Sequence, residues 1–511
     1  MTSALLSNGN RASVAMTPLR SLDLPLLIRN LSEPVNLPES FHIRNRLLHA
    51  FLLDPSFSPS PVRSSNRRRG NGSAGSLLRN AWETVWERNG ILEGWAVGDV
   101  PAGLIKYGSS TGEARSAVDS AIEDSRRTHP DKKTRSPWGI LLLSQARKAD
   151  RSIMSTGGAP PPEPVVDPHR RPETLRLDLW LDQSCTPGSP TANLAISILE
   201  TLVPRLLQKH SAPPLDEKQK GTKEEEDVSL KVLFCSFEET LADLVHGRAD
   251  DAPDRVKITF DNPCIRYIGS SDSQPRFLTQ QGEDESEQKG GLWYSLSAPW
   301  RLGSLSKEEP EIIEEVMRTN KIPFPRQYVE SHVHISTAVF CDDDDDNEAE
   351  SKKPVGWAYF HSDLAIASLF VKPDFRRRKV EARLVSTDEI NEGCVQTSLS
   401  SSSSSSRRSS WGVGSIVVAN ISHKLAEAQT AILDALRLGE VICACVGDDV
   451  ERAEGYRSNP KYGYGIGPCD VVGETEVGNA GARRFMEEGA GFRAGGKTSW
   501  MQVELVIPQD E

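Results

Sequence analysis

The sequence predicts an α/β (α+β) protein: a mixed sheet flanked by helices, with an N-terminal α/β lobe and exposed, disordered inserts. Three observations predict it. Leu175–Asp182 (LRLDLWLD) alternates apolar and polar residues, the period of a half-buried strand. Leu194–Leu207 (LAISILETLVPRLL) follows at helical spacing, with Pro204 predicting a kink near its end. VSLKVLFCSF then returns to strand, and strand, helix, strand in succession means helices laid on a sheet.

At 511 residues the chain has room for two to four folded units, and the composition shifts suggest where they divide. Residues 1–54 read as a helical segment, since apolar positions recur at helical spacing over Phe41–Leu53 after Ser40, a good N-cap. Residues 55–170 read as low-complexity and weakly structured, opening with DPSFSPSPVRSSNRRRGNGSAGS and holding only patches such as Ala81–Gly98 and WGILLLSQA. Residues 171–324 form the N-terminal α/β lobe. Its last element is a helix over Glu308–Asn320, acidic at its start and carrying Arg318 near its end, as the helix dipole favours.

Residues 325–508 form the last unit. Strands are expected at His332–Phe340, Val355–Asp363 and Ala365–Pro373, with CDDDDDNEAESKK as a charged hairpin loop and a helix opening at Arg376. Beyond the serine tract Ser398–Ser406, a long helix spans about Ser415–Leu438 and a buried strand Val441–Val446. A helix starting at Asn479 and a final strand, TSWMQVELVI, close the unit. No internal repeat is visible.

Charge and composition narrow the function. A net charge of −12 argues against a dedicated nucleic-acid or membrane-surface protein, because polyanions demand a positive field. Hydrophobic residues make up only 37%, and the 38 Gly and 33 Pro mark long connections between the folded stretches. No run of about 18 apolar residues exists, and MTSALLSNGNRASVAMTPLR lacks a continuous apolar core, so a cytoplasmic protein is expected, nuclear import through Arg67–Arg69 being the less favoured reading. The eight cysteines form no paired CxxC pattern. His332 and His334 share a strand face without a third ligand nearby, and Asp342–Asp346 lacks the spacing of a calcium loop, so no metal is expected.

The chemistry concentrates in VKPDFRRRKVEARLV. First-turn N–H groups of a helix have no intrahelical partner and the dipole is positive there, so a strand-to-helix turn can hold a phosphate. Arg376, Arg377, Arg378 and Lys379 add four cations in succession. With the strand order from Ser331 onward, this block resembles the GNAT superfamily of N-acetyltransferases: Val371, Pro373 and Arg376 match its V-x-P-x-x-R strand end. Asn479, Ala482, Phe485 and Gly491-Phe492 resemble the N-x-x-A element of the same fold. LPESFHIRNRLLH and GWAYFHSDLAIASLFVKPDFR are similar to fungal-type members with a long N-terminal extension.

The resemblance implies acetyl-CoA as co-substrate and a small-molecule or peptide amine as acceptor. It assigns the acetyl and pantetheine arm to the backbone of Leu369, Phe370 and Val371. The pyrophosphate goes to Arg376, Arg377, Arg378, Lys379, Val380 and Glu381, with Asn479 nearby. The coenzyme A motif is degenerate: Lys379 and Glu381 stand where the family uses Gly and Gly or Ala, and a carboxylate repels a pyrophosphate. Met486 replaces the tyrosine that often protonates the departing thiolate. The polar residues nearest for a base are His361, Asp363 and Ser368. The alternative reading is a catalytically degenerate scaffold that keeps the fold for partner binding.

Overall fold

The computed structural model describes residues 15–19, 27–28, 31, 40–52, 91–100, 136–145, 174–183, 185–210, 228–278, 293–319, 326–333, 335–342, 353–361, 364–385, 408–444 and 470–507. Their elements fall into two runs of the same order. The first comprises β1 (Met16–Pro18), α1 (Phe41–Leu52), β2 (Ile91–Gly98), β3 (Trp138–Gln145) and β4 (Thr174–Leu181). It continues through α2 (Pro190–Ser197), which passes by a π-turn into α3 (Val203–His210), then β5 (Val228–Glu238), α4 (Glu239–Asp251) and β6 (Val256–Ser270). Two short strands, β7 (Arg276–Phe277) and β8 (Trp293–Leu296), lead to the second run. This has β9 (Trp300–Gly303), α5 (Pro310–Thr319), α6 (Arg326–His332), β10 (Ser336–Cys341), β11 (Pro354–Phe360) and β12 (Ala365–Val371). After an inserted hairpin of β13 (Lys379–Val385) and β14 (Arg408–Gly412) come α7 (Val413–Ala444), β15 (Asp470–Glu476), α8 (Ala480–Arg484) and β16 (Arg493–Ile507).

Twelve strands make one mixed sheet, in the order β1-β2-β3-β4-β5-β16-β6-β15-β12-β11-β10-β9. Within it each run has a single parallel pair, β4 with β5 and β12 with β15, all other neighbours being antiparallel. The closing strands are exchanged. β16, from the second run, pairs with β5 of the first, and β6, from the first, pairs with β15 of the second. Because β16 and β6 are antiparallel to each other, a pseudo-two-fold axis normal to the sheet passes between them. The repeat is topological and has no counterpart visible in the residues.

Packing follows from the alternation. On one face Leu177, Leu179, Val232, Phe234, Met501 and Val503 are buried against Ala195, Ile198, Val203, Leu241 and Val245 of the helices α2 to α4 and the π-turn. In the second run Val339, Ala358, Phe360 and Ile366 are buried with Ile416, Val417 and Ile421 of α7. Ala338, Phe340, Trp357 and Tyr359, at alternate positions, meet Ile312, Ile313, Val316 and Val329 of α5 and α6. β2 and β3, from the stretch read as weakly structured, are inner strands of this sheet.

Three local expectations are corrected. No helix opens at Arg376: after a 3₁₀ turn at Pro373–Phe375 the chain enters β13, where Lys379, Glu381 and Arg383 are exposed while Val380 and Ala382 are buried. KVEARLV has period two, which outweighs the helix propensity of its charged residues. Val441–Ala444 belongs to α7, and the strand expected there is instead β15, from DVVGETE. His332 ends α6 and lies off β10, so it shares no strand face; His334 falls outside the described residues, as do the serine tract and most of the acidic hairpin loop.

The exchange ties the last strand to the first run's core. Met501→Ala removes a fully buried side chain and should cost about 2–5 kcal/mol in urea unfolding, with amide protection of β4 and β5 falling alongside that of β16.

Candidate functional site

Both parallel pairs are joined only at one end. β12 meets β15 at Ala365 and Ile366 alone, and β4 meets β5 only from Thr174 to Leu177. Beyond those residues the strands diverge, leaving backbone groups without ladder partners between them. Each run therefore holds a wedge-shaped opening toward the C-terminal end of its third long strand.

In the second run the opening is lined by Ser368, Leu369, Phe370 and Val371, all part-exposed. A β-bulge sets Ser368 and Leu369 against the single residue Ala358, with Ser368 at φ 48. Such a residue holds a left-handed backbone against steric cost and turns adjoining amides out of the ladder, where an N–H can meet an incoming oxygen. Facing it across the wedge, β15 continues from Gly473 into Glu474, Thr475 and Glu476.

At the mouth stands the start of α7. The sequence there is Trp411-Gly412-Val413-Gly414-Ser415, and two of these residues are held tightly. A Cβ on Gly356 of β11 would lie 2.6 Å from Val413 Cγ1, and one on Gly414 would lie 2.9 Å from Phe485 Cε2. Val371 Cγ2 is 3.6 Å from that same Gly414 position, so the end of β12 abuts the first turn of α7. Gly412 is different: a Cβ there would meet nothing nearer than Ser415 Oγ at 3.8 Å. The first-turn N–H groups of a long helix thus open beside the end of the wedge, a place suited to an anion.

The basic block reaches this turn by strand pairing. In the β13–β14 register Lys379 lies opposite Gly412, and Glu381 lies opposite Ser410, farther from α7 and 3.8 Å from Arg408. Arg376 folds back, its Nε donating to Val371 O at 3.0 Å and its guanidinium 5.9 Å from the Phe370 ring. Arg377 and Arg378 are exposed, Arg378 lying over Phe375, and Val380 is buried. Asn479 acts as N-cap of α8, accepting from Ala482 N at 3.1 Å. His361 sits in the β11–β12 turn, its N–H bonded to Ala365 O, at the end of β12 away from the opening. Asp363 falls outside the described residues. The residue pattern alone does not single out Gly412, Gly414 and Glu476. A signal for the first two is present in it: two glycines two apart, immediately before an amphipathic helical run.

In the first run the corresponding stretch of β4 is covered by α1. His42 Nε2 lies 3.2 Å from Leu179 O, on the part of β4 beyond its pairing with β5. Asp178 takes a two-pronged contact from Arg176 at 2.9 and 3.0 Å and lies 3.9 Å from Arg46 Nε, all three side chains being buried. Burial alone would raise the Asp178 carboxyl, but the Arg176 guanidinium carries it below its ordinary value. The polar layer continues to Glu474, which accepts from Trp500 Nε1 (2.8 Å), Ser236 Oγ (3.0 Å), Thr498 Oγ1 (3.2 Å) and Arg266 Nε (3.4 Å). Four donors from β5, β6 and β16 fix that carboxylate, whereas Glu476 at the rim of the second opening is exposed.

No family model matches the chain and no curated relative matches it. Among solved structures, the chain is similar to a Drosophila protein at 11% identity and a TM-score of 0.40, covering 97% of this chain and 99% of that one. It is similar to a GCN5-related N-acetyltransferase from Sphaerobacter thermophilus at 10% identity and a TM-score of 0.28, covering 76% and 86%. A protein assigned as a GNAT-family acetyltransferase from Novosphingobium aromaticivorans gives 10% identity and a TM-score of 0.25, covering 56% and 77%. The strand order and its openings, not these likenesses, bear on what the chain can do.

Burial, and then Arg266, push the pKa of His42 down to about 4 against the opposing pull of Asp178 and Glu474. Between the ordinary 6.5 and 4 the unfolded chain binds a proton that the folded chain does not, so stability falls as the pH drops through that window. Urea midpoints measured from pH 7 to pH 4 should show a loss on the order of 3 kcal/mol from this group, and His42→Gln should flatten the slope.

Proposed function

We propose that the second run binds acetyl-CoA and transfers its acetyl group to an amine. One observation carries the reading: the parallel pair β12/β15 separates after Ile366, and its opening ends at the first turn of α7. The arm of a thioester fits between diverging strands, where the backbone along Leu369, Phe370 and Val371, on the side turned away from β11, can hold its amides, Arg376 giving up its contact with Val371 O. The pyrophosphate would rest on the α7 N-terminus at Gly412, with Lys379 beside it. The repulsion anticipated from Glu381 is relieved, since β13 carries that residue past Ser410 and against Arg408.

The chain's own contributions would be orientation and proton removal. The bulge at Ser368 would present an N–H to the acetyl oxygen, and Glu476 at the rim is the exposed carboxylate placed to take the ammonium proton. Attack by the freed amine forms the amide bond and breaks the thioester C–S bond; the nitrogen sheds one further proton, which passes through solvent to the departing thiolate. A second reading, a scaffold without turnover, is favoured by Met486: it is buried, with its Cε 2.6 Å from where a Cβ on Gly473 would lie, and has no acidic hydrogen to give a thiolate.

Calorimetric titration with acetyl-CoA tests the binding claim. Saturable heat is expected for the native chain. Gly412→Glu has room for its side chain, so the thermal midpoint should hold while affinity falls at least about tenfold from a carboxylate at the anion site. No heat at millimolar ligand would sink the reading. Separately, Glu476→Gln should keep that affinity and lower kcat about 10²-fold or more in an amine screen. An unchanged kcat removes Glu476 as base, and a native chain that binds without any turnover establishes the scaffold.

A further inference from the structure

Ser410 lies on β14, three residues before the first residue of α7, and two independent features single it out. In the residues, Arg407-Arg408-Ser409-Ser410-Trp411 carries the pattern Arg-Arg-x-Ser, which occurs once in the chain: two guanidinium groups, at three and two positions before a serine, and a large apolar residue after it. Arginines so spaced are what a protein kinase reads when its peptide groove is lined with carboxylates. In the fold, the β13–β14 register separates the two serines. Ser409 lies opposite the buried Ala382 and is part-buried, on the face where Trp411 meets Phe277 and Tyr294. Ser410 lies opposite the exposed Glu381 and is itself exposed, as is Arg408. The serine that the pattern selects is thus the one whose hydroxyl the strand turns outward.

Its neighbours give a phosphate there something to hold. Gly412 follows two residues on, about 7 Å along the same face of the strand, and Lys379 stands opposite Gly412, diagonal to Ser410 and within reach of a long side chain. A seryl phosphate brings about −1.5 to −2 charge to this place, next to a helix start that favours an anion. Glu381, directly opposite, resists it, but that carboxylate lies 3.8 Å from Arg408, which shares the face with Ser410 on β14 and offsets part of the repulsion. The geometry points to Ser410 as a phosphorylation site whose phosphate engages Lys379 and the start of α7 in place of the acetyl-CoA pyrophosphate. In the modifying step Ser410 Oγ bonds to the γ-phosphorus of ATP as the bond from that phosphorus to the departing ADP oxygen breaks, and the hydroxyl proton passes to the kinase's base. This rests on the acetyl-CoA reading of the α7 start and adds an internal competitor to it.

The test treats the full chain with MgATP and the catalytic subunit of cyclic-AMP-dependent protein kinase, an enzyme of that specificity, and reads intact mass and peptide maps. Phosphate is expected at Ser410, with the rate cut at least about tenfold in Arg408→Ala. Calorimetric titration with acetyl-CoA should then show affinity at least about tenfold weaker in the phosphorylated chain, at an undiminished thermal midpoint. Ser410→Ala should bind acetyl-CoA as the untreated native chain does, both before and after kinase treatment. A native chain left unmodified at Ser410, even where a synthetic peptide of residues 404–414 is modified, overturns the inference. So does a phosphorylated chain that binds acetyl-CoA undiminished, or one whose thermal midpoint falls, the mark of a broken hairpin. In each of these cases heat from the untreated chain leaves the acetyl-CoA reading standing, whereas no heat from the untreated chain defeats that reading and the competition together.

Discussion

A strand of fifteen residues, β16, is hydrogen-bonded on both sides along most of its length, to β5 on one side and β6 on the other. Almost everything else in the molecule depends on that placement. Taken out, β16 would leave β5 and β6 as unpaired edges in the middle of the sheet and strip Met501 and Val503 from the core of the first run. Buried backbone groups without partners are costly, so neither run closes alone. The pseudo-two-fold arrangement is thus an energetic constraint as well as a symmetry: each run supplies the strand that completes its counterpart.

Symmetry of backbone has not kept symmetry of use. The two openings between parallel strands arise from the same geometry, yet one holds a buried layer of His42, Arg46, Arg176 and Asp178 and the other keeps part-exposed backbone and a helix start at its mouth. The polar layer spans the seam, since Glu474 of the second run is held by Ser236 and Arg266 of the first. A buried charge left without its partner is far costlier than an exposed one, so this layer fixes the register of the exchanged strands more firmly than apolar contacts would.

The sequence made some of this legible. LRLDLWLD announces β4 by its alternation, as the closing strand is announced, but β4 is not half-buried. Arg176, Asp178 and Trp180 of its second face are buried as fully as its leucines, because the two charges pair with each other. KVEARLV alternates too, but its run of cations beside a familiar strand end drew the helix start forward to Arg376, nearly forty residues before Val413. What separated β12 from α7 was an inserted hairpin, and a hairpin whose first strand, β13, pairs with β8 is a long-range fact with no local signature. The repeat stayed hidden for a related reason: topology constrains only the alternation of buried and exposed positions, and different residues satisfy it equally well. For the candidate site, the strand end at Leu369–Val371 is legible in the residues, Gly412 and Gly414 carry no signal stronger than their spacing, and Glu476 can be placed only once β15 is known to border β12.

The exchange also has a meaning in time. A chain made from its N-terminus presents β4, β5 and their helices early, but the neighbour that β5 needs is synthesised roughly 250 residues later. Through that interval the first run carries an open strand edge next to a buried arginine–aspartate layer, the kind of surface on which nascent chains aggregate or recruit chaperones. Productive folding is therefore a race in which the slowest and longest loop must close last, and a second copy's β16 is a chemically equivalent finisher for the wrong chain.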